Sequence, residues 1–202
     1  ILAIDQEHDN IIVAWQLADG SFELGRFAPE GLERSASMLI ADLTLNGSDD
    51  LLIADSGLPG GNGGRVLVCL ADAAGLSGCE ILRRTDQIAR HQHVAIGDFG
   101  GEGRYDVASV DEGSRDVAIY QQDALNVLES PAQTLASLQD GARPSSFAVA
   151  DLDADGDLDL AVTSPFSNSL TLLSRRADSS YARQALSFFG DASSTRGASQ
   201  VI

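Results

Sequence analysis

Positive charge is scarce in this chain: 13 basic residues stand against 30 acidic ones, for a formal charge of -17 and an isoelectric point near 4.2. Nucleic acid and anionic membrane surfaces are held by basic patches, so this balance excludes both as direct partners. Cysteine is nearly absent, with only Cys69 and Cys79, too few for a thiolate zinc site. No apolar run reaches the roughly eighteen residues that a membrane-spanning helix needs, so membrane insertion is not expected. Helical periodicity long enough for a crossover between parallel strands is also missing. Aromatics make up only 5%, yet 44% of the residues are hydrophobic, enough to fill a core and unlike a disordered acidic tail.

Against these absences, one segment stands out. From Ala150 to Val162 the chain reads ADLDADGDLDLAV, with an acid at every second position from Asp151 to Asp159 and Gly156 between two strand-like apolar runs. Calcium takes six to eight hard oxygen ligands, and Asp151, Asp153 and Asp155 set three carboxylates along one tight loop. Gly156 lets the chain turn with positive φ, so that the carbonyl of Asp157 and the carboxylate of Asp159 complete the shell. A helix-loop-helix calcium hand would need an acid at the twelfth loop position, which is Val162 here. The expectation is a calcium loop flanked by strands.

The pattern recurs. Aligned on their apolar runs, MLIADLTLNGSDDLLIAD from Met38, VAIGDFGGEGRYDVASV from Val94 and FAVADLDADGDLDLAVT from Phe147 place their first aspartates at Asp42, Asp98 and Asp151, spaced by 56 and 53 residues. Periods of this size mark one supersecondary unit that buries its apolar face against its neighbours. A shortened copy opens the chain with Asp5, Glu7 and Asp9, its loop too short to enclose a cation. In the last repeat the strand signals fall at Phe147–Ala150, Leu158–Thr163, Ser169–Leu173 and Tyr181–Leu186. Four strands per repeat predict an all-β fold of antiparallel propeller blades. The stretch Asp123–Leu138 carries leucines at helix-like spacing, but Pro131 interrupts it, and a loop plus an outer strand is expected there.

Asp151, Asp153, Asp155, Gly156 and Asp159, followed by LAVTS, a turn and SLTLLS, resemble the FG-GAP or VCBS repeats of the integrin alpha-subunit propeller and of many secreted bacterial proteins. The resemblance extends over three full repeats and one degenerate one. It implies one calcium ion in the loop between the first two strands of a blade, and blades that close into a ring, commonly of seven. The expected units are about 1–36, 37–92, 93–145 and 146–190, with 191–202 starting a further repeat; about four blades fall short of that ring. An open or partial propeller is expected, with a closed four-bladed ring as the alternative. The absence of an initiator methionine and leader, and the match of RGASQVI at the end to RSASMLI at Arg34–Ile40, carry the same expectation of a segment of something longer. Self-association through open blade edges, or stacking against further blades of a parent chain, follows from that reading.

The other loops are poorer in charge. Asp42, Thr44, Asn46 and Asp50 occupy the ligand positions of the second repeat, with Gly47 at the turn; Asp98, Glu102 and Asp106 remain in the third, where Gly100 has replaced one ligand. Affinity follows ligand charge, so both are weaker candidates. Asn46-Gly47-Ser48 is formally a glycosylation acceptor but reads as part of the loop. Cys69 and Cys79 flank a short turn and face each other if it is a hairpin, which makes a disulfide plausible in an oxidising compartment. GLPGGNGG, Gly57–Gly64, lacks the lysine and helix of a phosphate loop and reads as a hairpin connection. His91 and His93 lack a third metal ligand and are expected on the surface.

No nucleophile elbow or serine-histidine-acid pattern is present. The expectation is a non-catalytic, calcium-binding, secreted or cell-surface segment, periplasmic if bacterial, acting as an adhesion or recognition scaffold for a protein or carbohydrate ligand. The alternative is the propeller portion of a larger secreted enzyme, a polysaccharide lyase or hydrolase, whose catalysis lies elsewhere.

Overall fold

The computed structural model describes residues 2–5, 10–58, 63–72, 75–84, 90–125, 127–128, 133–138 and 143–187. They form fifteen strands in four antiparallel sheets that follow one another along the chain. The first sheet holds β1 (Leu2–Asp5), β2 (Asn10–Gln16) and β3 (Phe22–Phe27). The second holds β4 (Ser35–Ala41), β5 (Asp50–Asp55), β6 (Arg65–Asp72) and β7 (Gly75–Arg84). The third is β8 (His91–Gly97), β9 (Asp106–Asp111), β10 (Asp116–Tyr120) and β11 (Gln133–Ser137), and the fourth β12 (Ser146–Ala150), β13 (Asp159–Ser164), β14 (Ser169–Arg175) and β15 (Tyr181–Ser187). Every sheet is a simple meander in sequence order, the architecture of propeller blades.

The first sheet has three strands where the sequence reading expects four, because β3 leads through an irregular stretch directly into β4. Its shortened loop, with Glu7 and Asp9, lies outside the described residues, as does the part of the glycine-rich connection at 59–62. Asp123–Leu138 contains a turn, an isolated bridge between Gln122 and Leu128, and the outer strand β11. Residues 165–167 make a single 3-10 turn.

Alternation along the strands explains the stacking. In β5, Leu51 and Ile53 point toward the first sheet and join Ile11 and Val13, while Leu52 and Ala54 point the other way and join Val94, Val107 and Tyr120 of the third. In β9, Val107 faces the second sheet and Ala108 and Val110 face the fourth, against Phe147, Leu160 and Val162. A strand buried on both faces is apolar at successive positions, not only at alternate ones, and β5, β9 and β10 are buried throughout. Each large side chain so covered contributes about 1.5–3 kcal/mol. Among the described residues the three cores join only consecutive sheets, and none joins the first sheet to the fourth, as in a partial propeller.

His91 does not lie on the surface, and His93 is half-buried. His91 is fully buried, its Nδ1 3.4 Å from Ser109 Oγ and its Nε2 3.7 Å from Asp111 Oδ2. His93 sits edge-on to Phe147 with ring centroids 5.1 Å apart, and burial pushes its pKa down. A register shift between the two breaks the simple alternation that would put them on one strand face. Cys69 and Cys79 are directly paired across β6 and β7 and form a disulfide.

Candidate metal centre

The three acidic loops connect the first two strands of the second, third and fourth sheets and share one hydrogen-bond plan. The first aspartate of each folds back over the turn. Asp42 accepts the backbone N–H of Asn46 and Gly47 at 2.9 and 2.8 Å, Asp98 those of Glu102 and Gly103 at 2.9 and 2.7 Å, and Asp151 those of Asp155 and Gly156 at 3.2 and 3.0 Å. Two positive-φ residues make that fold-back possible: Leu45 and Gly47, Gly101 and Gly103, Ala154 and Gly156. Glycine adopts this geometry without strain, whereas Leu45 and Ala154 hold it against their Cβ.

The last aspartate of each loop begins the second strand, is buried, and ties three segments together. Asp50 accepts from Leu43 and Thr44 with one oxygen and from Ala71 at 2.7 Å with the other. Asp106 does the same with Phe99, Gly100 and Gln122. Asp159 receives Leu152 and Arg175, both at 2.9 Å. Burial pushes the Asp106 carboxyl above its ordinary value, opposed by the hydrogen bonds it accepts from Gln122, Gly100 and Phe99. These donors are main-chain groups, so no side-chain signal announces them in the sequence.

The loops differ in what they gather for a cation. In the fourth sheet, carboxylate oxygens of Asp151, Asp153 and Asp159 all lie within 4.8 Å of one another. Two ligands on one calcium ion stand at most about 5 Å apart, twice the ordinary Ca–O distance, so this donor set fits a single ion. The Asp153 carboxyl is pushed above its ordinary value, first by lost solvation and then by repulsion from Asp155, Asp159 and Asp151. Asp155 accepts the N–H of Asp157 at 2.9 Å and Asp157 pairs with Arg175, so neither carboxylate joins that trio.

The other candidates are engaged differently. In the second sheet Thr44 Oγ1 lies 3.5 Å from Asp50, and Asn46 donates to the carbonyl of Ala71 at 2.9 Å while its Oδ1 accepts from Ser48. In the third, Glu102 turns aside to Arg104, and Gly100 contributes no side chain. Among the described residues, only Asp151, Asp153 and Asp159 converge as a group of three.

Arg175 is a site residue that no motif in the sequence marks. Its N–H reaches Asp159, its guanidinium pairs with Asp157 and donates to the carbonyl of Gly100 at 3.1 Å, linking the third and fourth loops. An arginine pair, Arg175-Arg176, at the end of a strand gives little warning of such a role.

The stacked four-stranded meanders, each with its turn-forming acidic loop, define a segment of a β-propeller. The repeat is FG-GAP-like: residues 98–162, from the first aspartate of the third loop to β13, match the model of the FG-GAP-like repeat family. The whole fold is similar to a crystal structure of a protein from Lactobacillus plantarum, with a TM-score of 0.61 at 19% identity, covering 92% of this chain and 53% of that one. This chain therefore spans about half the length of that protein, and the likeness is one of fold. No curated protein matches the chain in sequence.

Proposed function

We propose that this segment is a calcium-stabilised recognition scaffold of an extracellular or surface protein, without catalysis of its own. The observation that carries this reading is the convergence of Asp151, Asp153 and Asp159 within 4.8 Å in an FG-GAP-like repeat. Bound calcium supplies positive charge that offsets their mutual repulsion. Asp151, Asp153 and Asp159 would hold the ion, while Asp159 also fixes the loop to β14 through the N–H of Arg175. An ion that binds the folded loop and not the unfolded chain stabilises the fold by mass action, by about 2.7 kcal/mol at a hundredfold excess over Kd. The disulfide between Cys69 and Cys79 favours an oxidising compartment. The surface loops of the blades are then free to contact a protein or glycan.

The test is thermal unfolding in EDTA and in millimolar calcium, with calorimetric titration to count sites. A calcium-dependent rise in melting temperature with at least one site is expected. No shift and no binding heat would reduce the loop to an acidic turn.

A further inference from the structure

The repeats carry a second recurring residue, at the end of the sheets away from the acidic loops. Arg34, Arg90 and Arg143 each stand four residues before the aligned apolar positions Met38, Val94 and Phe147. β4 and β8 separate Arg34 and Arg90 from their acidic loops by seven residues, roughly 20 Å of extended chain.

Two buried aspartates set Arg34 and Arg90 in matching positions. Asp55 accepts the N–H of Arg34 at 2.7 Å, and Asp111 that of Arg90 at 2.8 Å. The carbonyls are held as well, by the N–H of Ser56 at 2.8 Å and of Glu112 at 3.0 Å. Both arginine residues are exposed, and neither guanidinium has an ion-pair partner among the described residues. Arg143 differs: it pairs with Glu112 at 2.6 Å and lies over the ring of Phe166.

Between the second and third sheets, Arg34 and Arg90 border a cleft of about 280 Å³ that Ser35, Ser56, Gln92 and Glu112 also line. Glu112, the one acid there, is already engaged by Arg143 and by Gln92 Nε2 at 3.4 Å. In a chain with 30 acids and no lysine at all, two exposed arginines with no ion-pair partner among the described residues border one cleft. A guanidinium presents a planar fork that matches a carboxylate, and charge-assisted pairs of this kind are among the stronger polar contacts. Hydroxyl and amide groups beside it suit a polyhydroxylated ligand, and the volume is near the lower end of small-molecule sites.

We propose that this cleft is a binding subsite for a carboxylate-bearing sugar, with Arg34 and Arg90 on the carboxylate and Gln92 and Ser56 toward the ring hydroxyls. The assignment rests on the recognition-scaffold reading and names its ligand class.

The experiment is calorimetric and NMR titration of the chain in millimolar calcium with glucuronate, glucose, acetate and sulfate in turn. Glucuronate is expected to bind and glucose not, with roughly tenfold or greater loss of affinity in the Arg34→Gln, Arg90→Gln double variant. The variant's melting temperature checks that it is folded, and the single Arg90→Gln variant serves if it is not. No glucuronate binding, equal binding of glucose, undiminished binding in a folded variant, or equally tight binding of acetate or sulfate would each overturn the assignment. Calcium-dependent stability measured on the same samples separates the two readings: a stabilised chain that ignores glucuronate loses only the cleft, and one that binds it without a calcium response loses only the metal loop.

Discussion

The carboxylate of Asp159 takes the backbone N–H of Arg175 at 2.9 Å, joining the first residue of β13 to the last of β14. Its second oxygen takes the N–H of Leu152, so a side chain with no exposure holds the loop in shape independently of any ion. Asp153, on the same loop, is exposed and close to three other carboxylates. The two acids therefore have separable roles.

Asp159→Ala should destabilise the chain even in EDTA, by about 2–4 kcal/mol, because it strands two backbone donors. Asp153→Ala in EDTA should be neutral or slightly stabilising, since it removes repulsion, yet should abolish most of the calcium-dependent rise in melting temperature. Urea denaturation with and without calcium reads both effects; equal behaviour of the two variants would refute the division.

Asp55 is expected to matter as much as any loop acid. It accepts the N–H groups of Glu33, Arg34 and Gly57 and pairs with Arg65 Nε at 3.1 Å, both partners being buried. Asp55→Ala leaves the Arg65 charge, among the described residues, with Glu33 at 3.3 Å, and breaking a buried pair from one side costs about 3–5 kcal/mol. A loss below about 1 kcal/mol in urea denaturation would show that solvent reaches Arg65 freely.

Tyr181 should be a late-titrating tyrosine. Burial pushes its pKa up to about 12, aided by the nearby charges of Asp159, Asp157 and Asp106 and opposed by Arg175. Below pH 10 the phenol is neutral in both folded and unfolded chains. Between 10 and about 12 only the unfolded chain ionises, so stability is present below that window and lost as pH rises through it. Tyrosinate absorbance should lose its highest-pH component in Tyr181→Phe, and the alkaline fall in stability should become shallower.

Reduction of the Cys69–Cys79 disulfide should cost about 2–3 kcal/mol, the chain-entropy value for so short a loop. Comparing melting temperatures with and without dithiothreitol measures it. Cys69 is fully buried against the core shared with the first sheet, so a double serine variant should lose more than reduction does.

Much of the site was legible because a tight loop leaves few solutions. Alternate acids, a glycine at the sixth position and apolar runs on either side dictate a turn with carboxylates on one side, and Asp151, Asp153 and Asp159 do converge. The carboxylate of Asp155 accepts a main-chain N–H and that of Asp157, expected to ligate through its carbonyl, pairs with Arg175; that arginine arrives from another strand, which the loop sequence does not announce. The burial of His91 is illegible for a similar reason: its partners Ser109 and Asp111 come from β9, about twenty residues on.

Local order, then, resided in the sequence itself. Residue alternation determined the strands, the repeat spacing determined the sequence of sheets, and Gly47, Gly103 and Gly156 determined where the loops turn, because backbone sterics and period-two burial act over a few residues. Tertiary structure alone decided which carboxylates carry the architecture and which remain for a ligand. Asp50, Asp106 and Asp159 are committed to N–H groups 16 to 21 residues further along the chain, Asp55 is joined to Arg65, and Arg34 and Arg90 are brought to one cleft from different sheets. Those assignments depend on stacking, which buries one charge beside its donor and leaves another facing solvent.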